Sequence, residues 1–584
     1  MADPIRIANC SGFFGDRLSA AREMVEDGPI DVLTGDWLAE LTMLILARTR
    51  AKRPGGGYAR TFVTQMEQVM GACLERGIKV VSNAGGLDPD GCAAAVAEVA
   101  AKLGLHPKIA YVRGDDLMPR MPELLAADQL RHFETGEPIK DASFLTANAY
   151  LGIWGIVDAL SRGADIVITG RTTDAAIVCA PAAWRHGWSR TDWNALAGGV
   201  AAGHVIECGT QATGGNYSFF TEVPGMTRTG FPWAEVAEDG ACVFGKHDGT
   251  GGEVSIGTIT SQLLYEIGGP AYLGPDVTTR FDTIRLEQVG PDRVRMFGVQ
   301  GEPPPPTLKV CLNRAGGFRN DMNVCLTGLD IEAKANLIED AFWEACPFAP
   351  GDFQKVTTRL MRTDKPDPET NEQAVAILKI SVKDADPNKV GRAFSNAVTE
   401  LGLATIPGFF GVGGGPGEGR PYGVYEPACI AAELVPQEVV LLGGDTREVS
   451  SVIPAGRAAV VLPPEPAAEA PAGPTLRAPL GCVVGTRSGD KGGNANLGVF
   501  ARNDAAFTWL DGFLDTARLR ALLPEVRELA IDRHRLPNIR ALNFVIHGLL
   551  EEGVAASTRQ DPQAKSLGEW LRARVVDVPE ALLR

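Results

Sequence analysis

The chain has 584 residues, 45% apolar and 22% charged, enough to build packed cores without metals or disulfides and too long for a single core. Its formal net charge of −16 excludes a broad nonspecific nucleic-acid surface. Its eleven cysteines stand singly, without a Cys-x-x-Cys pair, and the odd count fits reduced thiols better than a closed disulfide framework.

In chain order, short β-branched runs alternate with helical patterns. Ile5-Arg6-Ile7-Ala8 reads as a strand opening into Asn9-Cys10-Ser11-Gly12. Trp37 to Arg50 reads as an apolar helix. Lys79-Val80-Val81-Ser82 is a second strand, ending at Asn83-Ala84-Gly85-Gly86, and an Ala-rich helix follows from Pro89 to Leu103. Lys108 to Val112 is a third strand, running into Gly114-Asp115-Asp116. Ala164 to Thr169 is a fourth, ending at Gly170-Arg171-Thr172-Thr173-Asp174. Four strand–loop–helix units predict an α/β core with a mostly parallel sheet and flanking helices.

From about residue 281 the texture changes. A short strand at Val294 to Phe297 precedes a helix at Lys334 to Glu344, a strand at Ala374 to Val382 and a helix at Asn388 to Leu401. The run Gly411-Val412-Gly413-Gly414-Gly415-Pro416-Gly417 predicts a flexible or ligand-facing loop. The expected division is 1–280 as α/β core, 281–460 as a second α+β domain, 461–474 as a Pro/Ala linker and 475–584 as a compact α+β domain with its own core. This last segment holds 15 Lys/Arg against 13 Asp/Glu, so the acidic excess belongs to the body.

Ligands of parallel sheets bind at the carboxyl ends of the strands, and the polar loops above fall there. Asn9, Ser11 and Gly12, then Asn83, Gly85 and Gly86, supply amide, hydroxyl and backbone donors with room for close approach; turn and cap roles explain the same residues. Arg171 with Asp174 fits a carboxylate or phosphate fork, or an ion pair tying down its own loop. Asp115-Asp116 fits a cation site or the acidic start of a helix.

The segment Gly203-His204-Val205-Ile206-Glu207-Cys208 is the strongest catalytic candidate. On a helix, His204 and Glu207 share a face, giving a base and its orienting carboxylate, or a core histidine beside a helix-end glutamate. Cys208 beside an imidazole fits a nucleophile or a buried structural thiol. Gly251 and Gly252, within Gly249-Thr250-Gly251-Gly252-Glu253, suggest an anion cradle without the Lys-Ser/Thr ending of a nucleotide loop. No early strand leads into Gly-x-Gly-x-x-Gly. Neither an NAD nor an ATP motif is present, and no metal-ligand set is placed.

Six motifs in order resemble the acyclic terpene utilisation AtuA family: Asn9 to Asp16, Asn83 to Leu87, Ala147 to Gly152, Thr169 to Asp174, Gly203 to Cys208 and Gly249 to Ser255. The run Gly485-Thr486-Arg487-Ser488-Gly489-Asp490-Lys491-Gly492-Gly493-Asn494 resembles the ferredoxin-like domain that accompanies it. The resemblance implies breakdown of branched acyclic terpenoid acids as coenzyme A thioesters, by lyase or hydratase-type proton transfer, with coenzyme A as part of the substrate. The competing expectation is a noncatalytic subunit that holds an acyl-CoA for a partner enzyme. Either way the expected protein is a cytoplasmic homo-oligomer with a small acyl substrate, without nucleic-acid or membrane partners: Met1-Ala2-Asp3-Pro4 has no signal-peptide character, and no apolar run approaches the roughly 20 residues that span a bilayer.

Overall fold

The computed structural model describes residues 3–53, 55–140, 143–412, 415–454, 460–461 and 473–583. Most of the expected linker, and Gly413 and Gly414 of the glycine-rich run, lie outside them. The chain groups into two compact units, one of residues 1–313, 425–554 and 561–584, the other of residues 314–424 and 555–560.

The first unit is built on strands β1 (Ile5–Asn9), β2 (Val32–Gly35), β3 (Lys79–Ser82), β4 (Ile109–Arg113) and β5 (Ile166–Thr169). They pair in parallel in the order β1-β2-β3-β5-β4. All four residues of β5 are buried, as a strand covered on both faces requires. Helices α1 (Ala20–Glu26), α2 (Glu40–Lys52), α3 (Arg60–Arg76) and α4 (Pro89–Leu103) follow the first three strands. Residues of α1, α3 and α4 share one core with Leu33, Val80 and Ile168. Helices α5 (Trp154–Ser161), α6 (Ala176–His186) and α7 (Trp193–Ile206) share the opposite core with Val32, Val81 and Val167. Right-handed crossovers impose this division: the path advances from β1 to β4, then turns back to β5, so later helices must cover the other face. The loops after β3 and β5 therefore diverge at a topological switch point, where crevices form.

The sheet as a whole is not mostly parallel. Hairpins extend both edges, with Pro232–Val236 pairing antiparallel to β1, Cys242–Lys246 beyond it, and Gln437–Leu441 pairing antiparallel to β4. Four of its ten pairings among the described residues are parallel, and the other sheets are largely antiparallel. Antiparallel neighbours need only a tight turn, such as Gly240 at φ +83°, whereas each parallel neighbour needs a crossover helix.

The last domain is a four-stranded antiparallel sheet, ordered Val484–Lys491, Asn494–Ala501, Ala541–Ile546, Ile531–Leu536. Leu510, Phe544 and Leu571 centre its own core, but Phe500, Leu536, Ile539 and Ala541 pack into the main core of the body. Glycines allow the approach: a Cβ on Gly498 would lie 2.6 Å from Leu264 Cβ, and one on Gly489 2.5 Å from the Tyr265 ring. Asn538 donates to the Phe281 and Ile284 carbonyl oxygens at 2.8 and 2.9 Å, and Asn496 accepts from Glu266 N at 2.8 Å. The domain keeps its own core and adds these further residues to the core of the body.

In the second unit, Phe318 to Thr327 pairs antiparallel with Val375–Asp384, which pairs with Lys355–Met361. Helix Ile331–Ala345 packs there through Ile338 and Phe342. The single helix expected from Asn388 to Leu401 is three short pieces, the first parted from the second at Gly391, which leaves helical geometry at ψ −142°. Among the described residues no helix is long and apolar enough to cross a membrane.

Candidate functional site

The loops after β1, β2, β3 and β5 meet the end of α7 at the switch point. The Asn9 side chain donates to the Glu207 carbonyl oxygen at 3.0 Å and accepts from Ser11 N at 2.7 Å. A Cβ on Gly12 would lie 2.5 Å from Cys208 C, so this loop needs glycine to reach the helix end. The Ser11 carbonyl oxygen accepts from Asp36 N at 2.9 Å. Asn83 accepts from Trp37 N at 2.9 Å and donates to the Asp36 carboxylate. A Cβ on Gly85 would lie 2.5 Å from Thr169 O, which closes the gap between the β3 and β5 loops. Gly86, at φ +55°, turns the chain toward α4.

Arg171 is the pivot. Its side chain is 2% exposed, with Nη1 donating to Leu38 O at 2.9 Å and to Asp174 Oδ1 at 2.7 Å. Its backbone N–H donates to Asp115 at 2.9 Å, and Asn148 donates to the same carboxylate oxygen at 2.8 Å. Asp115 thus secures the loop, while Asp116 caps the turn at Met118 N, 3.0 Å. The guanidinium lies over the Tyr150 ring at 4.3 Å, with the Lys309 ammonium 4.8 Å from that ring. Tyr150 donates to Glu40 Oε1 at 2.5 Å, and Lys309 stands 3.5 Å from that oxygen. Arg171 Nε and Glu207 Oε2 are buried without a hydrogen-bond partner.

Asp174 and Glu40 each keep 31% of the side chain exposed and Lys309 keeps 34%, so water reaches the cluster. The charges do not cancel evenly. Burial raises the Asp174 pKa against the pull of Arg171, with Glu40 adding to the rise. Burial and Asp174 push Asp36 up to about 8. Burial also opposes ionisation of Glu40, but Lys309 and Arg171 outweigh it and hold this carboxylate down at about 2. One carboxylate is therefore held as an anion while burial disfavours ionisation of its neighbours Asp174 and Asp36, an arrangement suited to proton transfer.

His204 and Glu207 do share a face of α7, with Nδ1 3.7 Å from Oε1. The imidazole is 1% exposed and packs against Tyr272 and Phe281, with ring centroids 5.2 and 5.3 Å away. Burial, reinforced by Lys491, lowers its pKa to about 4. Burial, Asp174 and Asp36 raise the Glu207 pKa well above the ordinary range. The pair's proton thus sits on the carboxyl and the imidazole is neutral. Around Cys208, burial followed by Glu207 and Glu266 raises the thiol pKa well above normal, the reverse of what a thiolate nucleophile needs.

Gly251 and Gly252 are elsewhere. A Cβ on Gly251 would lie 2.2 Å from Gly225 O, and one on Gly252 2.4 Å from Thr213 O. These glycines serve backbone-on-backbone packing, not the Arg171 cluster. Sequence reading missed Asp36, Glu40, Lys309 and Tyr425, whose ring lies 5.7 Å from the Lys309 ammonium. Asp36 had a signal, since Val32-Leu33-Thr34-Gly35 repeats the strand-to-polar-loop pattern; Lys309 comes from the distant strand Thr307–Thr327 and had none. Among the described residues no group of three or more His, Cys, Asp or Glu is placed to hold a metal ion.

No curated protein matches the chain. Residues 5–441 match the family model described as acyclic terpene utilisation family protein AtuA. Residues 478–577 match the AtuA ferredoxin-like domain. A match of this extent, spanning every loop of the crevice and followed by its accompanying domain, identifies the chain as a member of the acyclic terpene utilisation AtuA family.

Proposed function

We propose that the chain is an enzyme acting on a carboxylated or coenzyme A-thioesterified branched acyl substrate, by lyase or hydratase-type acid–base chemistry in the strand-end crevice. The family name points to acyclic terpene utilisation. The reading rests on Asp174, a water-accessible carboxyl with a raised pKa, 2.7 Å from a buried arginine and beside Glu40 and Lys309.

Arg171 and Lys309 receive the substrate carboxylate or the developing oxyanion of the thioester carbonyl. Asp174 exchanges a proton with the carbon next to that carbonyl, or takes the proton of a hydroxyl one carbon further on. The first begins elimination or completes hydration; the second begins carbon–carbon cleavage. All pass through the same enolate, so one cation pair serves each. His204 and Glu207 act as a unit behind Asp174, with the proton held on Glu207. Asn9 and Asn83 fix the loops that carry these groups.

The test is single turnover of the purified full-length chain with coenzyme A thioesters of branched acyclic terpenoid acids, read by mass spectrometry. Conversion by the wild type and its loss in Asp174→Asn are expected. Tight binding without conversion contradicts the enzyme and favours an acyl-CoA-holding subunit. Absence of binding contradicts both.

A further inference from the structure

The hairpin joining Val484–Lys491 to Asn494–Ala501 turns at Gly492, φ +63°. A Cβ on Gly492 would lie 3.2 Å from the Tyr425 ring, the ring 5.7 Å from the Lys309 ammonium. The hairpin tip therefore reaches the wall of the Arg171 crevice. Lys491 Nζ donates to the backbone carbonyl of Glu266 at 3.1 Å rather than to a carboxylate. Gly489 lets the strand pass over Tyr265, and that ring carries Arg487 at 3.9 Å and Lys565 at 4.4 Å. Those two cations pack on Tyr265, whereas Lys491 lies within the electrostatic reach of Lys309, Glu40 and Asp174 of the crevice.

We propose that Lys491 is the substrate-facing amine of this site, contributed by the ferredoxin-like domain, and that it captures the carbonyl of an oxo acid or its thioester as an imine. This rests on reading the crevice as the substrate site. The ammonium is disfavoured there: burial, followed by Lys309, lowers the Lys491 pKa to about 8. The charges facing it come from several elements. Glu266 follows α8 (Ile256–Leu263), Glu40 opens α2, Asp174 follows β5, Lys309 lies on the strand Thr307–Thr327, and His204 lies on α7. Asp490, on its own strand, is pushed up to about 7 by burial and Glu266. A desolvated amine beside a second cation is the arrangement that activates lysine as a nucleophile.

The step balances without a further reagent. The Nζ lone pair attacks the carbonyl carbon, the C–O π bond breaks, and the oxygen takes a proton from the Asp174 carboxyl. The nitrogen, now bonded to that carbon, loses one N–H proton back to Asp174. The carbinolamine then expels its hydroxyl with the second N–H proton as water, leaving C=N. The substrate carboxylate stays on Arg171 and Lys309.

The full-length chain is incubated with 4-oxopentanoate and sodium cyanoborohydride, then mapped peptide by peptide. Alkylation at Lys491 faster than at Lys102, whose side chain is 70% exposed, is expected, with a rate that rises through about pH 8. Lys491→Arg, checked for an unchanged melting temperature, loses that label alone. Labelling of Lys491 no faster than Lys102, in the same wild-type sample, overturns the proposal. Because trapping needs no turnover, this failure is separable from a failure of thioester conversion, which reads Asp174.

Discussion

Two glycine-rich regions of this chain read alike and do opposite things. In the strand-end crevice, Gly12 and Gly85 let polar loops close on one another, and what they enclose is charged, partly wet and incompletely paired. Around Gly251 and Gly252 the same residue type lets one backbone lie on another at Gly225 and Thr213, with Gly230 N donating to Gly251 O at 2.8 Å. Glycine reports close approach; the neighbours decide whether the approach serves a ligand or a turn. Arg171 Nε and Glu207 Oε2, buried without a partner, lie in the crevice, although buried polar groups are ordinarily satisfied.

The sharpest way to break this contrast is Asp174→Asn. It keeps the shape and removes the titrating proton, so turnover of an acyl thioester per folded molecule should fall by about 10²–10⁴, with a lowered melting temperature because the buried Arg171 guanidinium loses its carboxylate. Preserved turnover would strip the crevice of its chemistry. Arg171→Met comes next: it leaves Asp174 and Leu38 O without their donor, and stability should drop by about 3 kcal/mol, measured by urea unfolding. A drop within experimental error would mean that the loops do not depend on this pivot.

Gly12→Ala and Gly251→Ala sharpen the comparison directly. Both meet backbone at once, Cys208 C at 2.5 Å and Gly225 O at 2.2 Å, so each should cost about 1–3 kcal/mol from overpacking. Only Gly12→Ala should also lower turnover per folded molecule. Equal losses of turnover would show that the Gly251 turn belongs to the site after all.

The smallest effect is on pH. Folding raises Asp36 from 3.8 to about 8 through burial and Asp174, and raises Asp115 and Asp276 to about 7 through burial. The folded state therefore binds more protons than the unfolded one across that window, and these groups' stabilisation fades as pH rises through their folded values. His204, lowered from 6.5 to about 4 by burial, opposes this below 6.5 only. The melting temperature should fall between pH 6.5 and 8; a rise there would contradict the assigned protonation states.

Much of the crevice was legible because parallel strands have a strong local signature. Ile166 to Thr169 is a continuous apolar run ending in glycine and a charge, and such runs place their loops at one sheet edge. The antiparallel edges were not legible as parts of the same sheet, since Pro232–Val236 pairs with β1 across more than two hundred residues. Lys309 and Lys491 arrive from equally remote elements, and nothing local to either residue reports its neighbours. The spacing of His204 and Glu207 reads as one helix face, but their protonation order depends on Tyr272, Phe281, Asp174 and Asp36, which only the folded chain brings near.

Solvent hydrogen exchange tests the central claim most directly. The purified chain is held in deuterium oxide with the coenzyme A thioester of a branched acyclic terpenoid acid, and deuterium at the carbon beside the carbonyl is followed by NMR. If the crevice transfers protons as described, wild type incorporates deuterium at this carbon and Asp174→Asn does so about 10²-fold more slowly or less. Incorporation at equal rates in the two proteins, or none in wild type with thioester bound, would contradict the account.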